Sequence, residues 1–91
     1  MRRATKPARI KPELIYPGDL IEVRYERDGV EYSSLATVGK IITHPRSRTV
    51  FASNERTALL GYIPGEGVLM PDENAEIWRH RMGPRGPEGL F

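Results

Sequence analysis

The chain has 91 residues, enough for one small domain, and its positive charge is concentrated at one end. The first eleven residues carry five positive charges and no negative one, and the rest carry nine positive and twelve negative charges. A basic N-terminal segment therefore precedes a mildly acidic body. The absence of cysteine excludes disulfides and thiolate metal sites, and no apolar run reaches the roughly 18 residues of a membrane-spanning helix.

The two ends of the chain have the composition of extended arms. Pro7 and Pro12 each push the residue before them toward extended backbone, and the charge of this segment prevents it from folding alone. The C-terminal end is rich in glycine and proline. We therefore predict a basic extended arm at 1–15, a β-domain at 16–82 and a Gly/Pro-rich tail at 83–91.

The clearest local pattern is a β-hairpin. Ile21, Val23 and Tyr25 alternate with charged residues, which is the period of a half-buried strand. Asp28-Gly29 follows, and this dipeptide between alternating runs indicates a two-residue hairpin turn. Such a turn places Tyr25 opposite Tyr32, Val23 opposite Ser34, Ile21 opposite Ala36 and Glu26 opposite Glu31.

Further strands follow the hairpin. The second hairpin strand extends to about residue 43, with Gly39 at the position of a bulge or bend. Residues 72–82 fit either a helix or a strand, and a helical turn at 72–75 leading into a strand is favoured. Other strands are predicted at 49–53 and 58–63, and 68–70 is a short apolar segment. Five strands with Gly/Pro turns predict an all-β fold, a small SH3-like five-stranded barrel with extended N- and C-terminal arms.

No residue pattern typical of catalysis or metal binding is present. His44 and His80 lie far apart in the sequence and lack the spacing of metal ligands. Ser33-Ser34 falls inside a predicted strand and not on the strained turn of a nucleophile. The carboxylates of Glu22, Glu26 and Glu31 lie on the polar face of the predicted hairpin, where a solvated surface is expected and not an acid/base pair. We therefore expect a non-enzymatic protein without a cofactor or metal.

Basic side chains form three groups: the arm, a loop at 44–48 and the last strand. If the groups converge they would form a nucleic-acid footprint, whereas the lack of an aromatic residue in the arm favours a protein partner. The apolar pair at the end of the tail also favours docking on protein. The predicted partner-binding residues are Arg2, Arg3, Lys6, Arg9, Lys11, Arg46, Arg48, Arg79, Arg81, Leu90 and Phe91.

Two resemblances add expectations about function. The segments GDLIEV at 18–23 and ATVGKI at 36–41 resemble the opening of KOW-type SH3-like barrels in ribosome- and polymerase-binding proteins. The cysteine-free, arginine-rich β-domain with tails resembles small virion and connector proteins of actinobacterial tailed phages. That resemblance implies a barrel that forms rings while its arms hold neighbouring subunits.

We accordingly expect a structural or interaction protein that binds protein subunits, either itself or other assembly components, in the cytoplasm or in a virion. No membrane partner is expected. The alternative is a nucleic-acid-binding accessory or regulatory protein that uses the basic arm.

Overall fold

An antiparallel β-sheet makes up nearly all the regular structure of the computed structural model, which describes residues 6–54, 56–63, 65–70, 72 and 74–84. The strands are β1 (Ala8–Ile10), β2 (Leu20–Arg27), β3 (Val30–His44), β4 (Ser47–Ala52), β5 (Ala58–Ile63), β6 (Gly67–Met70) and β7 (Glu76–Arg81), with a 3₁₀ turn at Pro12–Leu14. Across the sheet they are ordered β1-β7-β2-β3-β4-β5-β6. The predicted all-β class is confirmed.

The sheet has seven strands where the sequence predicted five. The additional strands are β1 and β6, of three and four residues. Both are too short to show an alternating pattern. In addition, β1 lies between Pro7 and Pro12, which predict an extended arm and not a paired strand. No ladder among the described residues joins β1 to β6, so the sheet is open between these strands. The described residues also include no helix long and apolar enough to cross a membrane.

The hairpin formed by β2 and β3 has the predicted register. Tyr25 lies opposite Tyr32, and their stacked rings have centroids 5.1 Å apart. Ile21 opposite Ala36 keeps the apolar face continuous across the pair. The turn residues Asp28 and Gly29 have φ of 55° and 78°, the left-handed conformation at both positions that a type I′ turn requires.

We expect the double substitution Asp28→Val with Gly29→Val to destabilise this hairpin. A Cβ at Gly29 meets no atom within 4 Å, so the cost comes from backbone conformation, about 1–2 kcal/mol per position or more for a β-branched residue. Thermal unfolding followed by circular dichroism measures it. Asp28→Asn is the matched control, because asparagine accepts the left-handed region. An unchanged melting temperature in the valine variant would contradict the turn assignment.

Strand β3 bends and belongs to both halves of the sheet. Its first part pairs with β2 and its second part with β4, and the register shifts between Val38 and Lys40, where a bulge was predicted. The first half comprises β1, β7, β2 and residues 30–37, and the second half comprises residues 38–44, β4, β5 and β6. The side chains buried between the halves include Ile21, Val23 and Ile77 from the first, and Val50, Leu60 and Tyr62 from the second.

Residues 8–15, which the sequence assigns to an arm, pack on the body. Strand β1 pairs with β7, with Ala8 opposite Arg79 and Ile10 opposite Ile77. The 3₁₀ turn then leads to Ile15, which is buried in the core. Local composition could not show this, because the partner strand lies near the other end of the chain.

The alternatives for residues 72–82 resolve into a turn followed by a strand. The Ala75 amide donates to the Asp72 carbonyl at 3.1 Å, which closes the turn. Strand β7 then pairs with both β1 and β2. The favoured prediction, a turn at 72–75 that leads into a strand, is thus confirmed in its outline.

Candidate functional site

The structure describes seven of the eleven predicted partner-binding residues. Arg2, Arg3, Leu90 and Phe91 lie outside the described residues. Exposed side chains belong to Lys6, Arg9, Lys11, Arg46 and Arg81, and the exposed Arg9 lies 3.9 Å from Glu76. The half-buried Arg48 and Arg79 contact other parts of the chain. The three basic groups therefore do not present all their charges on one free surface.

A buried carboxylate binds the segments that enter and leave the sheet, at Tyr16 and Gly83. Asp19 is fully buried, and its Oδ2 and Oδ1 accept hydrogen bonds from the amides of Tyr16 at 3.1 Å and Gly83 at 2.7 Å. Arg79 Nη1 lies 3.6 Å from Asp19 Oδ2 and supplies a positive charge. The Asp19 carbonyl accepts from the Val38 amide at 2.8 Å. This one residue thus joins the segment before β2, the segment after β7, and β3.

Tyr62 and Arg79 contact the first segment at opposite sides of the 3₁₀ turn. The Tyr62 hydroxyl donates to the Pro12 carbonyl at 3.0 Å, and the Arg48 guanidinium lies 5.9 Å from the centroid of the Tyr62 ring. Arg79 Nη1 donates to the Leu14 carbonyl at 3.4 Å. Burial raises the pKa of Tyr62, which keeps its hydroxyl protonated as a donor. Tyr62 and Arg79 thus hold the N-terminal segment on the body, and Arg48 lies against the Tyr62 ring.

The outer face of the first half carries a polar network across β2 and β7. Glu22 Oε1 is 2.8 Å from His80 Nε2 and accepts a hydrogen bond from Arg24 Nη2 at 3.0 Å. The Arg24 guanidinium lies 4.7 Å from the centroid of Trp78, whose indole nitrogen donates to Glu76 at 3.1 Å. The network links neighbouring strands and covers the tryptophan ring.

The electrostatics of this network favour an ionised Glu22. The hydrogen bond from Arg24, followed by the one with His80, holds the pKa of Glu22 below its usual value. The half-buried His80 lies on the open face of the sheet, and His44 is exposed at the end of β3. Within the described ranges, no three histidine, aspartate or glutamate side chains come together to hold a metal ion.

An acidic groove lies at the hairpin end of the same face. It has a volume of about 630 Å³, and its charged lining consists of Glu22, Glu26, Glu31, Glu76 and Arg24. The sequence placed the hairpin carboxylates on one polar face but did not indicate that Glu76 joins them. The charge of this groove is opposite to that of the N-terminal arm.

The hairpin projects beyond the strands that flank it. Strand β7 pairs with β2 only as far as Arg24, and β4 pairs with β3 only from Val38 onward. Within the described part of the chain, the strand residues between 25 and 36 thus pair only within the β2–β3 hairpin, and no third strand flanks them. Their exposed apolar side chains include Tyr32 and Leu35, which are 45% and 58% exposed. Tyr25 and Ala36 pack against the core, but a projecting two-stranded ribbon is marginal in water where it has no further packing.

The hairpin leaves one edge of β3 open. Arg27 and Val30 flank the two-residue turn and exchange hydrogen bonds, so every second residue of β3 faces β2. Accordingly, the Val38 amide donates to Asp19 on the β2 side, while the Thr37 carbonyl accepts from Ser53 on the other side. By this alternation, the peptide groups of Glu31, Ser33 and Leu35 point away from β2, toward an edge that no described strand covers.

A shallow groove of about 450 Å³ lies beside the open edge. Small side chains form much of its wall, and its lining includes Ser34, Ala36, Ala52, Ala58 and Leu59. The sequence predicted the hairpin, but it could not predict the open edge, because that depends on which strands the whole sheet places beside β3.

No protein-family model, curated protein or solved structure matches the chain.

Proposed function

We propose that this chain is a non-enzymatic structural protein that assembles with other protein subunits. The projecting hairpin carries the proposal. Open strand edges and exposed apolar side chains are a liability for a lone monomer, and they are the features through which subunits pair. A neighbouring subunit that covers the open edge of the hairpin would bury Tyr32 and Leu35, which the chain itself leaves exposed.

The position of the basic side chains supports a protein partner over a nucleic acid. Arg79 is held by the buried Asp19, so part of the predicted basic footprint is neutralised within the chain. The acidic groove offers a surface complementary in charge to another subunit's basic arm. The alternative, nucleic-acid binding, draws on the exposed Lys6 and Lys11.

The finer description of the body belongs to the same proposal. We regard it as an SH3-like, half-open barrel, because the long bent strand β3 is shared by two halves that enclose one core. In the phage connector-type proteins that the sequence resembles, such a body forms rings and its arms contact neighbours. A multi-subunit particle is therefore the setting we propose.

Light scattering coupled to size exclusion, at low and moderate salt, tests this function. We expect a defined oligomer, or a complex with a tightly bound protein partner, that persists at moderate salt. A monomer that binds no protein partner would contradict the proposal.

Titration with duplex DNA and with RNA tests the alternative in the same samples. If the arm's five charges all met phosphates, log K would fall with log salt at a slope of about −4.5. The matched variant replaces Arg2, Arg3 and Lys6 with glutamine, which leaves β1 intact and should reduce that slope by about 2.7. Steep binding that this variant weakens would favour the nucleic-acid function.

A further inference from the structure

We infer that two copies of this chain pair antiparallel through the open edges of β3, centred on Ser33, so that one sheet continues across a two-fold axis. This inference rests on the proposed function and names its partner, a second copy of the chain. A two-fold interface uses the same patch on both subunits, so the patch must complement itself.

The backbone of the open edge meets this requirement. With Ser33 opposite Ser33 of the second copy, Glu31 lies opposite Leu35 of that copy. All three residues have peptide groups that point outward from β2, so each opposed pair is a hydrogen-bonded pair. About six inter-chain hydrogen bonds result. A shift of the register by one residue would place each of these outward-facing peptide groups opposite one that points toward β2 of its own chain, and the inter-chain hydrogen bonds would not form.

The side chains complement each other in the same register. Glu31 faces Leu35 and not a second Glu31, so like charges are not directly opposed. Tyr32 of the second copy lies opposite Ser34, on the side of the shallow groove, where the small side chains of Ala36 and Ala52 leave room for an aromatic ring. The exposed surfaces of Tyr32 and Leu35 are thereby covered.

The N-terminal segment of the same chain is poorly placed to cover this edge. Ala8 lies opposite Arg79 in the β1–β7 ladder, so β1 enters the sheet at the Arg81 end of β7, away from the hairpin turn. Strands β7 and β2 also separate β1 from β3. The segment before Ala8 offers mainly charged and small side chains, which do not fill an apolar groove.

Leu35→Glu tests the predicted register in the full-length chain. The side chain is exposed, so the subunit should keep its fold, which circular dichroism verifies. In the paired edges each new glutamate lies opposite Glu31 of the other copy, at two symmetry-related places. The like charges and the loss of the buried leucine surface together should raise the dimer dissociation constant about tenfold per contact, and hence about a hundredfold in total. Sedimentation velocity over a concentration series measures it.

Two further variants complete the experiment. Leu69→Glu, at an exposed leucine on β6, should leave the dimer unchanged. Combining Glu31→Lys with Leu35→Glu places opposite charges at the same two contacts and should restore pairing. An oligomer that Leu35→Glu leaves intact would overturn the β3 pairing while the assembly function stands. A wild-type monomer also overturns the pairing, and it overturns the assembly function only if no other protein partner is found.

Discussion

Replacing Asp19 with alanine is expected to lower the free energy of unfolding by about 3–5 kcal/mol, measured by urea denaturation at neutral pH. The substitution removes the acceptor for the amides of Tyr16 and Gly83 and leaves the charge of Arg79 without its carboxylate. Small domains are stable by only roughly 5–15 kcal/mol, so the loss is a large part of the total.

The controls for Asp19 separate this site from a generic loss of charge. Glu66→Ala removes an exposed carboxylate and should change stability by no more than about 0.5 kcal/mol. Asp19→Asn keeps the shape of the side chain but turns an NH₂ group toward one of two amide donors, so it should cost at least about 2 kcal/mol. If Asp19→Ala matched Glu66→Ala, the carboxylate would not connect the two ends of the chain.

The role of Asp19 also changes how the basic residues are understood. The sequence presents Arg79 as one of several charges that await a partner, whereas the structure places it against Asp19 and the carbonyl of Leu14. Arg48 similarly packs on Tyr62. Charge clusters that look alike in sequence thus differ in availability: each cluster keeps an exposed member, such as Lys11, Arg46 or Arg81, while Arg48 and Arg79 are held within the chain.

The parts of the fold that were predictable from sequence depend on neighbouring residues. Asp28-Gly29 determines the hairpin turn, and the alternation that begins at Ile21 determines its register, so both were obtained without knowledge of the rest of the chain. Gly39 was identified as a bulge because an isolated glycine in a strand pattern usually marks one.

The parts that were missed depend on residues far apart in sequence. Strand β1 has only three residues and forms because β7 offers an edge. Asp19 follows Pro17-Gly18, a sequence typical of a turn, and its role was missed because one of its amide donors, Gly83, lies at the opposite end of the domain. The open edge of β3 is likewise invisible in the residues of β3 themselves, because it arises where β4 stops pairing.

Gly39→Ala is expected to destabilise the protein by about 1–3 kcal/mol, whereas Gly61→Ala should be neutral or stabilising by up to about 1 kcal/mol. A Cβ at Gly39 would lie 2.6 Å from Ser53 Cα and 2.7 Å from the Ala52 carbonyl oxygen, and backbone atoms cannot yield as a flexible side chain does. At Gly61 the nearest such atom is the Arg48 carbonyl oxygen at 3.8 Å, an ordinary contact. Both glycines lie in strands without positive φ, so the comparison isolates close backbone approach.

Urea denaturation of the two alanine variants measures their free energies of unfolding, and the difference between the two is the informative result. Gly39 is where β3 leaves β4 and the hairpin begins to project, so crowding there forces apart the two halves that enclose the core. Equal stabilities for the two variants would show that the backbone segments at Gly39 and Ser53 can move apart without loss of folding free energy. The bend would then be set by the packing of Val38 and Val50 in the core and not by the absence of a side chain at Gly39.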